Sequence, residues 1–192
     1  MMNIDEMKKI LEASIPPKRY RHSLAVYETA LKLAEAHGLP AGKIAVAALL
    51  HDCGRVVSSG KSAQEARKLG LEVPPLEEAQ PILLHAILGV YYARETYGVD
   101  DGEILEGIRY HTTGAAGMSD LAKVVYLADM IEPGRDFDGV EELRKLAFRN
   151  LDKAMLKAYA NTIGYLLDSG LLIHPDCIDG YNELLLAARR KS

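Results

Sequence analysis

Six histidines occur in this chain of 192 residues, and four of them, with two aspartates, stand where they could share one centre. The set is His22, the adjacent pair His51-Asp52, His85, His111 and Asp129. The chemical case starts from Asp52. Every residue from Ile44 to Leu50 is apolar, so a helix there is apolar on all sides and runs through the core. It then delivers an imidazole and a carboxylate to its core end, where a carboxylate is costly unless it is paired or bound to a metal. Asp129 repeats the situation, because Val124, Val125, Tyr126, Leu127 and Ala128 lead directly into it. Two buried acids on separate helices rarely sit together without a cation, neutral imidazoles complete such a site without adding repulsion, and mixed His/Asp ligation suits first-row metal ions. His51 and Asp52 stand about 100° apart around a helix, so both reach one ion only if it lies off the helix end. Gly54 just beyond lets the chain turn away and leaves such an ion an open side, which hydrolysis needs.

The remaining histidines must be positioned by helices. His22 shares a helical face with Ala25 and Val26, His85 with Ile82 and Leu88, and His111 with Ile104 and Ile108, so all three point inward. Taken singly, each reads as a hydrogen-bonded core residue; the combination reads as a site. Apolar residues recur at three- and four-residue spacing with no sustained alternation, which predicts an all-α fold. Helices are expected over about Ile4 to Ala13, Lys18 to His37 with Gly38 as its stop, and Ala41 to Cys53. Ser62 with Glu65 reads as a capping box for a short helix to Leu69, and Pro74-Pro75 opens a segment to Tyr97 with a break near Pro81. Asp100 with Glu103 starts a helix to His111, and Ser119 caps one to Ile131 before Pro133-Gly134. One or two amphipathic helices fill about Gly139 to Asp168. A loop containing His174-Pro175 then leads into a last helix to about Arg189, and the run Arg189-Arg190-Lys191 reads as a solvated end. His37, in the last turn of its helix, and His174, before a loop proline, read as structural.

Composition excludes several classes. Apolar residues make up 48% and charged residues 26%, a globular balance in a length suited to one domain over residues 1–192. With 23 Lys+Arg against 27 Asp+Glu the net charge is -4, so no broad basic field holds nucleic acid. Trp is absent, Phe occurs twice and Tyr ten times, so stacking on a ligand falls to Tyr. Cys53 and Cys177 fit neither a disulfide framework nor a thiolate metal site, and a reducing cytoplasm is expected. The acidic, amphipathic start MMNIDEMKK is unlike a signal peptide, and no apolar run approaches a membrane span. Gly60-Lys61-Ser62 is not a P-loop, because Gly54 is one residue too far upstream and a helix precedes it. The sequence contains no GxGxxG, HExxH or GxSxG motif.

His22, His51-Asp52 and Asp129 match the H…HD…D signature of the HD-domain metal-dependent phosphohydrolases. Together with HDCGR at 51–55, His85, YHTTG at 110–114 and LADMIEPGRDF at 127–137, the chain resembles the YqeK-type symmetrical bis(5'-nucleosyl)-tetraphosphatases of that family. The resemblance covers about His22 to Val140. It implies an HD-domain helical bundle with a motif core at about 18–140 and C-terminal helices at about 140–190. The implied activity is hydrolysis of diadenosine tetraphosphate to two ADP by a metal-activated water. The implied metal ligands are His22, His51, Asp52 and Asp129, around one or two divalent ions, with iron favoured and manganese, cobalt or zinc compatible with the donors. Asp52, His85 and His111 are expected to be catalytic. Nucleotide contacts are expected from Asp52, Cys53, Gly54, Arg55, His85, His111, Thr112, Thr113, Asp129 and Arg135. Arg55 and Arg135 suit bidentate phosphate binding; for Arg135 a surface pair with Asp136 or Asp138 is the plainer reading, and for Cys53 a small buried filler. Thr112, Thr113 and Gly114 can hold phosphate or simply end a helix. Glu132 and Pro133 are expected to shape the turn that aims Arg135. For His85 and His111 three roles stand open: binding a second metal, hydrogen-bonding to phosphate, or donating a proton to the leaving diphosphate, to which the pKa of a free imidazole is suited; phosphate contact and acid catalysis are favoured, because no spare carboxylate is evident for a second ion. A homodimer is a further implication of the resemblance. Another nucleotide substrate, or a sensing module without turnover, are the competing readings.

Overall fold

The computed structural model describes residues 2–190. Among these residues there is no strand. The helices are α1 (Ile4–Ser14), α2 (Pro17–Ala36), α3 (Ala41–Leu50), α4 (Ser59–Lys68), α5 (Pro75–Ala79), α6 (Leu84–Glu95), α7 (Gly102–Tyr110), α8 (Asp120–Ile131), α9 (Val140–Ala147), α10 (Leu151–Asp168) and α11 (Pro175–Arg190), with a 3-10 turn at Pro81–Leu83. None is long and apolar enough to cross a membrane.

α3 is the axis of the bundle. Its residues Ile44 to Leu50 are all buried, and it packs between α2, α7 and α8, as an all-round apolar helix must. The core continues from Met7 and Leu11 of α1 to Met155 and Tyr159 of α10. α11 packs on α10 at the far side. Leu167, Leu171, Leu172 and Leu186 at that end remain exposed.

Caps explain most boundaries and correct several. Asn3 and Glu6 form a reciprocal capping box that opens α1, and Ser119 accepts from the Ala122 N–H at the start of α8. The capping residue of α7 is Asp101 rather than Asp100, its carboxylate accepting from the N–H groups of Glu103 and Ile104. Ser62 lies inside α4, which begins at Ser59, and its hydroxyl donates back to the Ser58 carbonyl. The Ser-x-x-Glu spacing there is coincidental. α3 stops at Leu50 instead of Cys53, because residues 51–55 tighten into turns in which the N–H of Cys53 bonds to Leu50 and that of Arg55 to Asp52. The stretch from Gly139 to Asp168 divides at residues 148–150, where the Asn150 side chain caps α10. In the terminal basic run, Arg189 and Arg190 are exposed in α11; Lys191 lies outside the described residues.

Candidate metal centre

Four histidines and two aspartates converge from separate elements. His22 comes from α2, His51 and Asp52 from the turn after α3, His85 from α6, His111 from the residue after α7, and Asp129 from α8. The rings form a row in the order His22, His51, His111, His85, each edge-on to the next, with centroids 5.3, 5.0 and 4.9 Å apart.

What each Nδ1 meets sets the tautomer. His51 Nδ1 donates to the Ala48 carbonyl at 2.7 Å, His111 Nδ1 to Ile108 at 2.7 Å, and His85 Nδ1 to Ile82. His22 Nδ1 donates to the Glu132 carboxylate at 3.2 Å. Carbonyl and carboxylate oxygens only accept, so all four rings turn Nε2 toward the centre. At the His85 end the protein supplies donors: Arg55 Nη2 lies 3.2 Å from His85 Nε2, and Thr112 Oγ1 lies 3.1 Å from His111 Nε2. At the His22 end, among the described residues, no protein donor reaches the Nε2 atom of His22 or His51, although Arg135 Nη2 donates to Asp129 Oδ1. There His22 Nε2 stands 3.4 Å from His51 Nε2 and 2.9 Å from Asp129 Oδ1, so lone pairs face an anionic oxygen. Either a proton or a metal ion must lie between them. Ligand atoms each about 2.1 Å from one ion are about 3.0 Å apart at right angles and about 3.4 Å apart at tetrahedral angles, which matches these separations. Asp52 reaches in from the side, with Oδ2 3.9 Å from His51 Nε2 and Oδ1 3.4 and 3.7 Å from the Nε2 atoms of His85 and His111. The trios His22-His51-Asp129 and His51-Asp52-His111 each bring their donor atoms close enough for one ion. The donor set fits a divalent metal.

Electrostatics follow the same division. Burial works against both carboxylates, yet Asp52 is held well below the usual range by His51, His111, His85 and Arg55, and Asp129 by His22, His51 and Arg135. Burial also works against a charge on His22, but the hydrogen bond and charge of Asp129 carry its pKa above the ordinary value. Burial pushes His51 down to about 4 and His85 to about 3, with His111 lowering both and Arg55 adding to the effect on His85. His85 is therefore a neutral acceptor for Arg55, and a free-imidazole pKa is no reason to make it an acid.

The surrounding residues divide into those that face the centre and those that do not. Arg55 is anchored by Nε to Asp52 Oδ1 at 2.6 Å. Arg135 turns back to pair with Asp129, its Nε also donating to the Asp129 carbonyl at 2.7 Å, so the pair with Asp136 or Asp138 is replaced. The Cys53 thiol is buried and donates to the Gly89 carbonyl at 3.3 Å; it packs the core and does not reach the centre. Thr113 is buried, with its hydroxyl on the Gly114 carbonyl. Gly54 answers a different need from the open side expected of it: a Cβ there would fall 2.0 Å from the His85 carbonyl oxygen, so glycine is what lets this turn lie against α6. His37 bonds the Ala147 carbonyl at 2.7 Å, and His174 stands 3.4 Å from buried Glu77, both structural contacts.

One residue at the centre escaped the sequence reading, and a second was given only part of its role. Arg19 Nη1 lies 3.4 Å from Asp52 Oδ2, and Glu132, besides accepting from the Gly134 N–H in the turn it was expected to shape, holds His22. Each sits three residues from a residue of the centre, Arg19 before His22 and Glu132 after Asp129, and that spacing was the available signal.

The HD domain family matches residues 19–134, and the chain belongs to that family. More particularly, it is 38% identical over 188 residues to a Halalkalibacterium halodurans protein named symmetrical bis(5'-nucleosyl)-tetraphosphatase, covering 96% of this chain and 98% of that one. A Bacillus subtilis protein of the same name is 36% identical over 184 residues, with 96% and 98% covered. A crystal structure from Clostridium acetobutylicum, described as a "predicted HD superfamily hydrolase involved in NAD metabolism", superimposes with a TM-score of 0.91 at 37% identity, covering 97% of this chain and 99% of that one.

Proposed function

We propose that this protein is a metal-dependent hydrolase that cleaves diadenosine tetraphosphate at its centre into two ADP. The observation that carries the reading is the row of four inward Nε2 atoms with two depressed carboxylates, flanked by Arg55 and Arg135, in a chain similar over nearly its whole length to symmetrical tetraphosphatases. His22, His51 and Asp129 would hold the ion at the end of the row where no protein donor reaches the Nε2 atoms, and Asp52, which groups with His51 and His111, would reach it from the other side of His51. Two imidazoles and two carboxylates balance a divalent charge and leave positions free. Iron is our assignment among first-row ions that this donor set accepts.

A divalent ion there supplies Lewis-acid polarisation of a phosphoryl oxygen and a water of lowered pKa. The protein supplies position. Arg55, fixed at Nε by Asp52 and at Nη2 by His85, keeps Nη1 for a phosphate oxygen, a preorganised charge-assisted contact. Thr112 and His111 line the same end and hold the phosphate there; Arg135 does so beside Asp129. Hydrolysis joins the water oxygen to one inner phosphorus, breaks that atom's bond to the central bridging oxygen, and leaves the water's proton on the products. Gly54 and Thr113 contribute by backbone and packing. Both cysteines are free and buried, which suits the cytoplasm, and the exposed leucines of α10 and α11 are our candidate for a homodimer face.

The test is product analysis on protein loaded anaerobically with iron. Two ADP per diadenosine tetraphosphate is the expected result; ATP plus AMP, or no turnover, contradicts the reading. Asp52→Ala should lose bound metal and hydrolysis together.

A further inference from the structure

We propose that the cleft at the His22 end of the imidazole row is the subsite for the second nucleoside diphosphate half of the substrate, with Lys18 and Arg21 as the residues that select a dinucleotide over a mononucleotide. The inference rests on the hydrolytic reading above. A symmetrical tetraphosphate cleaved in the middle places a diphosphate on each side of the reacting bond, so a site built for it needs cations on both sides of the metal. At one end of the row stand Arg55 and Thr112. At the other, a cavity of about 530 Å³ opens directly from His22, lined by Lys18, Arg19, Arg21, Glu132 and Arg135 among others. That volume lies within the range of small-molecule sites.

The cations of this cleft are not equivalent. Arg19 is matched by Asp52, and Arg135 by Asp129 and Glu132. Lys18 and Arg21 are exposed, and among the described residues neither has an ion pair or side-chain hydrogen bond. Two uncompensated charges therefore face a cavity beside the metal ligands of a chain whose net charge is -4. Helix stability does not account for them. They lie in the first turns of α2, whose opening turn carries no acidic residue, and cations at the positive end of a helix dipole are unfavourable. An anion in the cleft reverses that sign.

The test combines product binding with kinetics on the iron-loaded protein. Wild type should bind two ADP per chain in calorimetric titration, and Lys18→Gln with Arg21→Gln should bind one. The same double variant should raise KM for diadenosine tetraphosphate about tenfold, the loss expected for removing charge-assisted phosphate contacts. Lys9→Gln, on the exposed face of α1, removes a charge elsewhere and should leave KM unchanged. One ADP per wild-type chain, or a double variant with wild-type stoichiometry and KM, overturns the subsite. Failure of the underlying reading is seen separately, as wild type that forms no ADP, and it overturns the inference as well.

Discussion

His51, His85 and His111 are each fixed by the carbonyl three residues earlier, while His22 depends on Glu132 from the end of α8. That difference makes Glu132 the weakest support of the centre. Glu132→Gln leaves a group that can still accept the Nδ1 hydrogen bond but removes the charge that makes His22 a stronger donor, so metal affinity should fall about 10- to 100-fold, measured by competition with a chelator. The buried neutral imidazoles also set a pH dependence in the metal-free protein. His51 and His85 have pKa values lowered to about 4 and about 3, whereas in the unfolded chain each titrates near its ordinary value. Their contribution to stability is complete above about pH 6.5. It is lost as pH falls, by about 1.4 kcal/mol per pH unit for each, until the folded values are reached. His22, raised by Asp129, works in the opposite direction and reduces the loss. Metal-free protein should thus be less stable at pH 5 than at pH 7.5 by on the order of 3 kcal/mol. Urea unfolding at the two pH values checks this, and a flat profile would contradict the buried neutral rings.

The helices after Val140 carry no recognisable motif, yet they hold both motif loops in place. Arg144 of α9 donates to the carbonyls of Ile131, Glu132 and Arg135 at 2.9, 3.0 and 2.8 Å, which satisfies the C-terminal end of α8 and fixes the turn bearing Glu132 and Arg135. Tyr159 of α10 takes the Ala115 N–H at 3.1 Å and packs on Gly114, where φ is +66° and a Cβ would lie 2.1 Å from the Tyr159 hydroxyl. Arg144→Met should cost about 2–3 kcal/mol and weaken metal binding as well, because it frees the turn that holds His22. Tyr159→Phe should cost about 1 kcal/mol, the size of one neutral hydrogen bond, and leave metal binding unchanged. Denaturation with parallel metal titration separates the two. These supports were invisible in the sequence because their partners are remote, as Tyr159 is from Ala115 and Glu132 is from His22. The residues that converge at the centre were legible for the opposite reason: an aspartate after an unbroken apolar run has few physical explanations. Helix starts with real caps, such as Ser119, could be read, whereas the end of α3 could not, since an all-apolar run contains no periodicity to show where it stops.

The centre lies where α2, α6, α8 and the segments following α3 and α7 meet, so an ion held there would tie together parts of the chain that are remote in sequence. Without an ion, the close approach of His22 Nε2, His51 Nε2 and Asp129 Oδ1 is relieved only by a proton shared between His22 and Asp129. Metal binding should accordingly act on the stability of the whole fold. Binding to the folded state alone at about 100 times Kd contributes about 2.7 kcal/mol, which for a chain of this size corresponds to a rise in Tm of about 5–10 °C. Scanning calorimetry with a chelator and then with added divalent metal measures it. Asp129→Asn should lose most of the metal-dependent rise, since it removes a charge from the proposed ligand set. Arg55→Gln should retain the rise, because the guanidinium contacts Asp52 and His85 without offering a donor atom to the ion. If both variants kept the full shift, the metal would be bound elsewhere, and the row of imidazoles would have to be read as a proton-sharing network.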